Sequence, residues 1–97
     1  WSVYTSKGQT KEDDLAEQLA KAAIKNLPQM KMRAEKSDGD LDYEENFYIL
    51  KHTACPAVLT ENGFSTNKED LAILESREGR RAITDLHVEG IVEHLTK

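Results

Sequence analysis

The segment Cys55-Pro56-Ala57-Val58-Leu59-Thr60-Glu61-Asn62-Gly63-Phe64-Ser65-Thr66-Asn67 constrains the fold more than any other part of the chain. A short, unbroken apolar run follows a proline and ends in a carboxylate. A glycine turn and an Asn suited to capping a helix come next. Apolar character without alternation is what a strand covered on both faces requires, so residues 57–60 read as a buried strand. That order places Glu61 at the carboxyl end of the strand, the edge where ligands and catalytic groups gather in open α/β sheets.

The rest of the chain supplies partners for such a strand. Val3 and Tyr4 favour β structure, and Lys7-Gly8 ends a short strand over residues 2–5. Thr10 is the expected cap of a helix, with Glu12, Asp13 and Asp14 at its positive end. Leu15, Leu19, Ala23 and Leu27 recur every four residues with Ala16, Ala20 and Ile24 beside them, giving one apolar helix face that stops near Asn26 and Pro28. Residues 30–33 read as a brief strand or an extended linker, 37–45 as an acidic turn, and 47–50 as a strand or the end of a short helix begun at Tyr43. Asn67 caps the next helix, with Glu69 and Asp70 at its positive end and Leu71 and Leu74 facing inward. Ser76 starts a final helix with the apolar stripe Ile83, Leu86, Gly90, Ile91 and Leu95, flanked by His87 and His94. The basic groups Lys31, Arg33 and Lys36, and Arg77, Arg80 and Arg81, read as solvated surface.

This order of elements predicts an α/β fold: a small, mostly open sheet with helices packed on its faces. The strands are few for so apolar a run as residues 57–59. The expectation is therefore that residues 1–97 form the C-terminal part of one larger three-layer α/β/α domain. The first residue, Trp1, is not a translational start, which also suggests a fragment; no signal peptide is visible.

With 97 residues, 38% apolar and 32% charged, the chain suits one folded domain rather than a disordered one. A net charge of −5 argues against nucleic-acid binding, and no apolar run is long enough to span a bilayer. The single cysteine, Cys55, allows no internal disulfide. It reads as a small buried core residue; a nucleophile would need a partnered base, and neither Glu61 nor His52 is placed beside it by the sequence.

Three groups invite a chemical reading. Asp38, Asp40 and Asp42 alternate like the opening of a calcium loop, but Tyr43 and Ile49 stand where that loop needs Gly and an acid. An ordinary acidic surface turn is the better reading, with weak cation binding or a place at a substrate rim as the alternatives. His87 and His94 lie two helical turns apart, about 10 Å of rise, too far to share one tetrahedral zinc; His52 is alone. Glu61 differs because both its flanks are structured. Gly63 permits a sharp turn, Phe64 is expected to bury and pin it, and Asn67 fixes its exit. A carboxylate held from both sides meets the positional demand on a general base.

Residues 56–67, followed by an acidic helix and Glu75-Ser76, resemble the C-terminal signature of zinc-dependent N-acetylmuramoyl-L-alanine amidases, the cell-wall amidases of bacteria and phage lysins. The family pattern is Pro-Ala-Val-Leu-x-Glu-x-Gly-Phe-x-x-Asn, matched here at Pro56, Ala57, Val58, Leu59, Glu61, Gly63, Phe64 and Asn67. Phe47 to Thr53 is similar to the family's preceding strand and turn, Trp1-Ser2-Val3-Tyr4 to the strand after its second zinc histidine, and the last helix to its closing helix. The resemblance implies hydrolysis of the amide between N-acetylmuramic acid and L-alanine of the peptidoglycan stem peptide. It implies a zinc held by two His and a Glu, and a further catalytic Glu that matches Glu61. In the family order all three zinc ligands precede the position of Trp1, so none is matched here. This chain alone is therefore expected neither to bind zinc tightly nor to cleave peptidoglycan. Its implied partners are peptidoglycan and either the missing N-terminal half of the domain or another chain. Its implied setting is extracytoplasmic (periplasm, cell wall or secreted) or that of a phage-encoded lysin. Two other readings stand beside this: a non-catalytic module that grips stem peptides, and a fragment that assembles through an unfinished sheet edge. A Ser-x-His segment before Trp1 would favour the enzyme.

Overall fold

The computed structural model describes residues 1–5, 12–32, 43–44, 55 and 57–96. Thr10, the acidic turn with Asp38, Asp40 and Asp42, and His52 lie outside the described residues, as does the segment 47–50.

Strand β1 is Ser2–Thr5, helix α1 is Glu12–Asn26, β2 is Tyr43–Glu44 and β3 is Leu59–Glu61; helices α2, Lys68–Glu75, and α3, Arg77–Leu95, follow. The strands form one sheet in the order β2-β1-β3. β2 runs parallel to β1, with Tyr4 opposite Tyr43. β3 runs antiparallel to it, pairing Ser2 with Glu61, Val3 with Thr60 and Tyr4 with Leu59. The α/β expectation is borne out, and β1 and α1 lie where the strand-favouring Val3-Tyr4 pair and the four-residue apolar recurrence put them.

Because cross-strand partners share a face and neighbours alternate, Val3, Thr5 and Thr60 look one way and Ser2, Tyr4, Leu59 and Glu61 the other. The helices lie on the first side. Val3 is fully buried in a core with Ala16, Leu19, Ala20, Ala23, Leu27, Met30 and, from α3, Leu86. Val58, of the same parity as Thr60, packs against that core.

α1 and α3 meet where their side chains are small. A Cβ on Gly90 would stand 2.7 Å from Leu19 Cδ2 and 2.9 Å from Leu19 Cα, so only glycine admits this approach. Polar links close both ends of the crossing. His94 Nδ1 lies 2.7 Å from Asp14 Oδ2. At the other end Asn26 Nδ2 donates to Glu89 Oε2 at 3.0 Å, and Lys25 Nζ lies 3.4 Å from the same oxygen. The Asn26 amide is the chief cause of a Glu89 carboxyl held below its ordinary pKa; partial burial opposes it and the Lys25 charge adds to it.

α2 and α3 are joined at Ser76, which ends one and starts the other. Its N–H donates to the carbonyls of Ala72 and Ile73, and its Oγ accepts from Gly79 N–H at 2.9 Å.

Several burial expectations need correction. Ile91 and Leu95 are exposed, Leu95 by 73%. The buried line of α3 follows Leu86 and Gly90; Ile91 is rotated about 100° from Gly90, and Leu95 lies near the end of the helix. Ile24 is exposed, at the margin of the α1 face. The paired part of the central segment starts at Leu59 rather than Ala57, and β3 is half-buried rather than covered. Pairing so late leaves Cys55 ahead of the ladder, and it is exposed rather than buried. No helix among the described residues is long and apolar enough to cross a membrane.

Candidate active site

Glu61 closes β3, half-buried, with its backbone paired to Ser2. By the alternation above, its side chain stands on the sheet face away from α1 and α3. The residues around it are tied to the opposite, core-facing side, so the carboxylate projects from a fixed base.

The first tie is Thr60. Its Oγ lies 3.1 Å from His87 Nε2, while His87 Nδ1 lies 2.7 Å from the Ile83 carbonyl. A carbonyl can only accept, so Nδ1 carries a proton; in the neutral ring Nε2 then accepts from the Thr60 hydroxyl. This contact pins β3 to α3. The second tie is Asn62. Continuing the β1–β3 register one step brings it opposite Trp1, whose indole Nε1 donates to Asn62 Oδ1 at 2.7 Å. Trp1 is buried in the core, and an aromatic ring with a satisfied N–H is a rigid anchor.

Beyond Asn62 the chain turns at Gly63, whose φ of +100° lies in the left-handed region that favours glycine. The turn does not rest on Phe64 burial, as the sequence suggested: Phe64 is 39% exposed. It rests instead on one side-chain and one backbone hydrogen bond. Phe64 N–H donates to Asp70 Oδ2 at 3.0 Å, and Asn67 N–H donates to the Phe64 carbonyl at 3.0 Å. Asn67 caps α2 as expected, its Oδ1 accepting from Asp70 N–H at 2.9 Å.

Sequence reasoning missed three of these contributors: Asp70, the Trp1–Asn62 pair and the Thr60–His87 contact. The Asn-x-x-Asp spacing of Asn67 and Asp70 was a readable signal for the first, since a side chain three residues after a cap commonly reaches back across it. The other two are long-range and leave no local mark.

Among the described residues no group of three His, Cys, Asp or Glu side chains could hold a metal. His87 is engaged with Thr60 and Ile83, and His94 with Asp14. They do not converge on Glu61, and the donors that zinc needs are not among the described residues.

The model for the N-acetylmuramoyl-L-alanine amidase family matches residues 1–93. The chain is 34% identical over 97 residues to an endolysin of Bacillus phage SPP1, a match covering 97% of this chain and 31% of that protein. It is 44% identical over 46 residues to the N-acetylmuramoyl-L-alanine amidase CwlM of Bacillus licheniformis, covering 47% of this chain and 18% of that protein. It thus spans about a third or less of the length of these relatives. No solved structure gives a significant match. With the family model running from Trp1 through the turn after Glu61 and along nearly all of α3, the chain belongs to the N-acetylmuramoyl-L-alanine amidase family.

Proposed function

We propose that the full-length protein is a peptidoglycan hydrolase that cleaves the amide between N-acetylmuramic acid and L-alanine of the stem peptide. On this reading the present chain is the C-terminal part of the catalytic domain and Glu61 is its general base. The observation that carries the proposal is the position of Glu61: a half-buried residue at the carboxyl end of β3, followed by a turn bonded to the core and to α2. Family membership supplies the reaction class.

The chemistry asked of Glu61 is a proton transfer in two stages. Its carboxylate accepts a proton from the water that attacks the amide carbonyl carbon. As the carbon–nitrogen bond breaks, it delivers that proton to the departing L-alanine nitrogen. Such a positioned base contributes about 10²–10⁴ in rate. Zinc dependence is part of the proposal through the family resemblance. Among the described residues no three His, Cys, Asp or Glu side chains form a metal-holding group, and on this reading the donors belong to the remainder of the full-length protein. The setting that follows is the cell wall, reached either by export or as a phage lysin.

The test is product chemistry. Incubation of the full-length protein with purified peptidoglycan should release stem peptides with a new L-alanine amino terminus, detected by mass spectrometry, and leave the glycan strands uncut. Cut glycan or cut peptide cross-links would replace this reading with another wall hydrolase, and binding without any cleavage would replace it with a stem-peptide-binding module.

A further inference from the structure

Asp70 does more than begin α2. Its Oδ2 accepts the Phe64 N–H at 3.0 Å, its own N–H donates to Asn67 Oδ1 at 2.9 Å, and Asn67 N–H donates to the Phe64 carbonyl at 3.0 Å. These three bonds close a loop between the exit of β3 and the first turn of α2. The turn also packs directly on Asp70. A Cβ placed on Gly63 would stand 3.1 Å from Asp70 Cβ and 3.2 Å from Asp70 Cγ. On its amino-terminal side Glu61 is held by the β1 ladder, and Asn62 is held by Trp1. On the carboxyl-terminal side the turn is held by Asp70 at the Phe64 N–H, by the Asn67–Phe64 backbone bond and by Met30, whose Cε would lie 3.0 Å from a Gly63 Cβ; Asp70 supplies the side-chain bond among these.

From this geometry we infer that Asp70 is a positioning residue for Glu61, acting through the Phe64 N–H to set the direction in which the carboxylate leaves the sheet. The inference rests on the reading of Glu61 as general base. A capping role alone would only help α2 form. The bond to Phe64 lies outside α2 and reaches back toward the strand, which capping of α2 does not need. A base must sit within a fraction of an ångström of its working position, and small displacements are felt in the chemical step rather than in substrate binding.

The experiment compares Asp70→Ala and Asp70→Asn in the full-length protein, with Glu61→Gln as reference. Muropeptide turnover gives kcat and KM, and amide hydrogen exchange reports on Phe64 N–H. For Asp70→Ala the expected result is a fall in kcat of roughly 10-fold at nearly unchanged KM, with loss of protection at Phe64. Asp70→Asn keeps an acceptor oxygen and should recover most of both. Wild-type kcat in Asp70→Ala overturns the inference. So does an Asp70→Asn as impaired as the alanine variant, or a loss confined to KM. If Glu61→Gln retains full turnover, the reading of Glu61 fails and takes this inference with it. If Glu61→Gln is inactive while Asp70→Ala is fully active, the inference alone falls.

Discussion

The crossing of α1 and α3 and the turn that follows Glu61 hold together by opposite means. At the crossing, apolar and small side chains exclude water: Leu19, Ala20, Ala23 and Leu86 are buried, and Gly90 lets α3 approach the Leu19 backbone. At the turn, Phe64 is exposed and order comes from directional bonds from Trp1 to Asn62, Phe64 to Asp70 and Asp70 to Asn67. Non-directional burial supplies most of the stability of a small domain but aims nothing. Hydrogen bonds contribute about 1 kcal/mol net each, yet they fix direction. If Glu61 has its proposed role, stability and chemistry rest on separate sets of residues, joined at Thr60–His87 and Trp1–Asn62.

That separation can be broken by substitution. The largest stability effect is expected for Leu86→Ala, which removes a fully buried side chain between α3 and the core. The cost is about 2–5 kcal/mol, read from urea or thermal unfolding. Gly90→Ala comes next: the new methyl meets Leu19 backbone as well as its flexible end, and overpacking of this kind costs about 1–3 kcal/mol. Unfolding no easier than wild type would show that the helices separate at little cost and would weaken the contrast. Asn67→Ala removes the α2 cap and is expected to cost about 1 kcal/mol.

The smallest effect concerns pH. Glu89 has its folded pKa lowered, chiefly by Asn26. A lowered carboxyl pKa contributes stability that is fully present above the ordinary carboxylate value and is lost as pH falls through the folded value. The wild type should therefore exceed Glu89→Gln in melting temperature near neutral pH, with the gap closing in acid. A gap that widens in acid would reverse the sign.

What could be read ahead of the structure followed from short-range physics. The period of Leu15, Leu19, Ala23 and Leu27, the caps at Asn67 and Ser76, and the left-handed turn at Gly63 all depend on residues within one helical turn of each other. Glu61 at the end of a strand belongs with these. Burial was less legible because it depends on which neighbour arrives. Ile91 and Leu95 have the right spacing but no partner helix among the described residues, and Phe64 and Cys55 are apolar in type and yet exposed. The contacts that hold the turn to the core join residues 61 and 27 positions apart, and nothing local announces them.

As the proposed base, Glu61 would serve the reaction and contribute no appreciable part of the fold. The most direct test of this is Glu61→Gln in the full-length protein, with thermal unfolding and muropeptide hydrolysis measured on the same preparation. The expected result is a melting temperature within a few degrees of wild type, as for other substitutions away from core and caps, and a rate reduced by about 10²–10⁴. Hydrolysis at the wild-type rate, or a loss of activity that merely tracks a loss of folded protein, would contradict it.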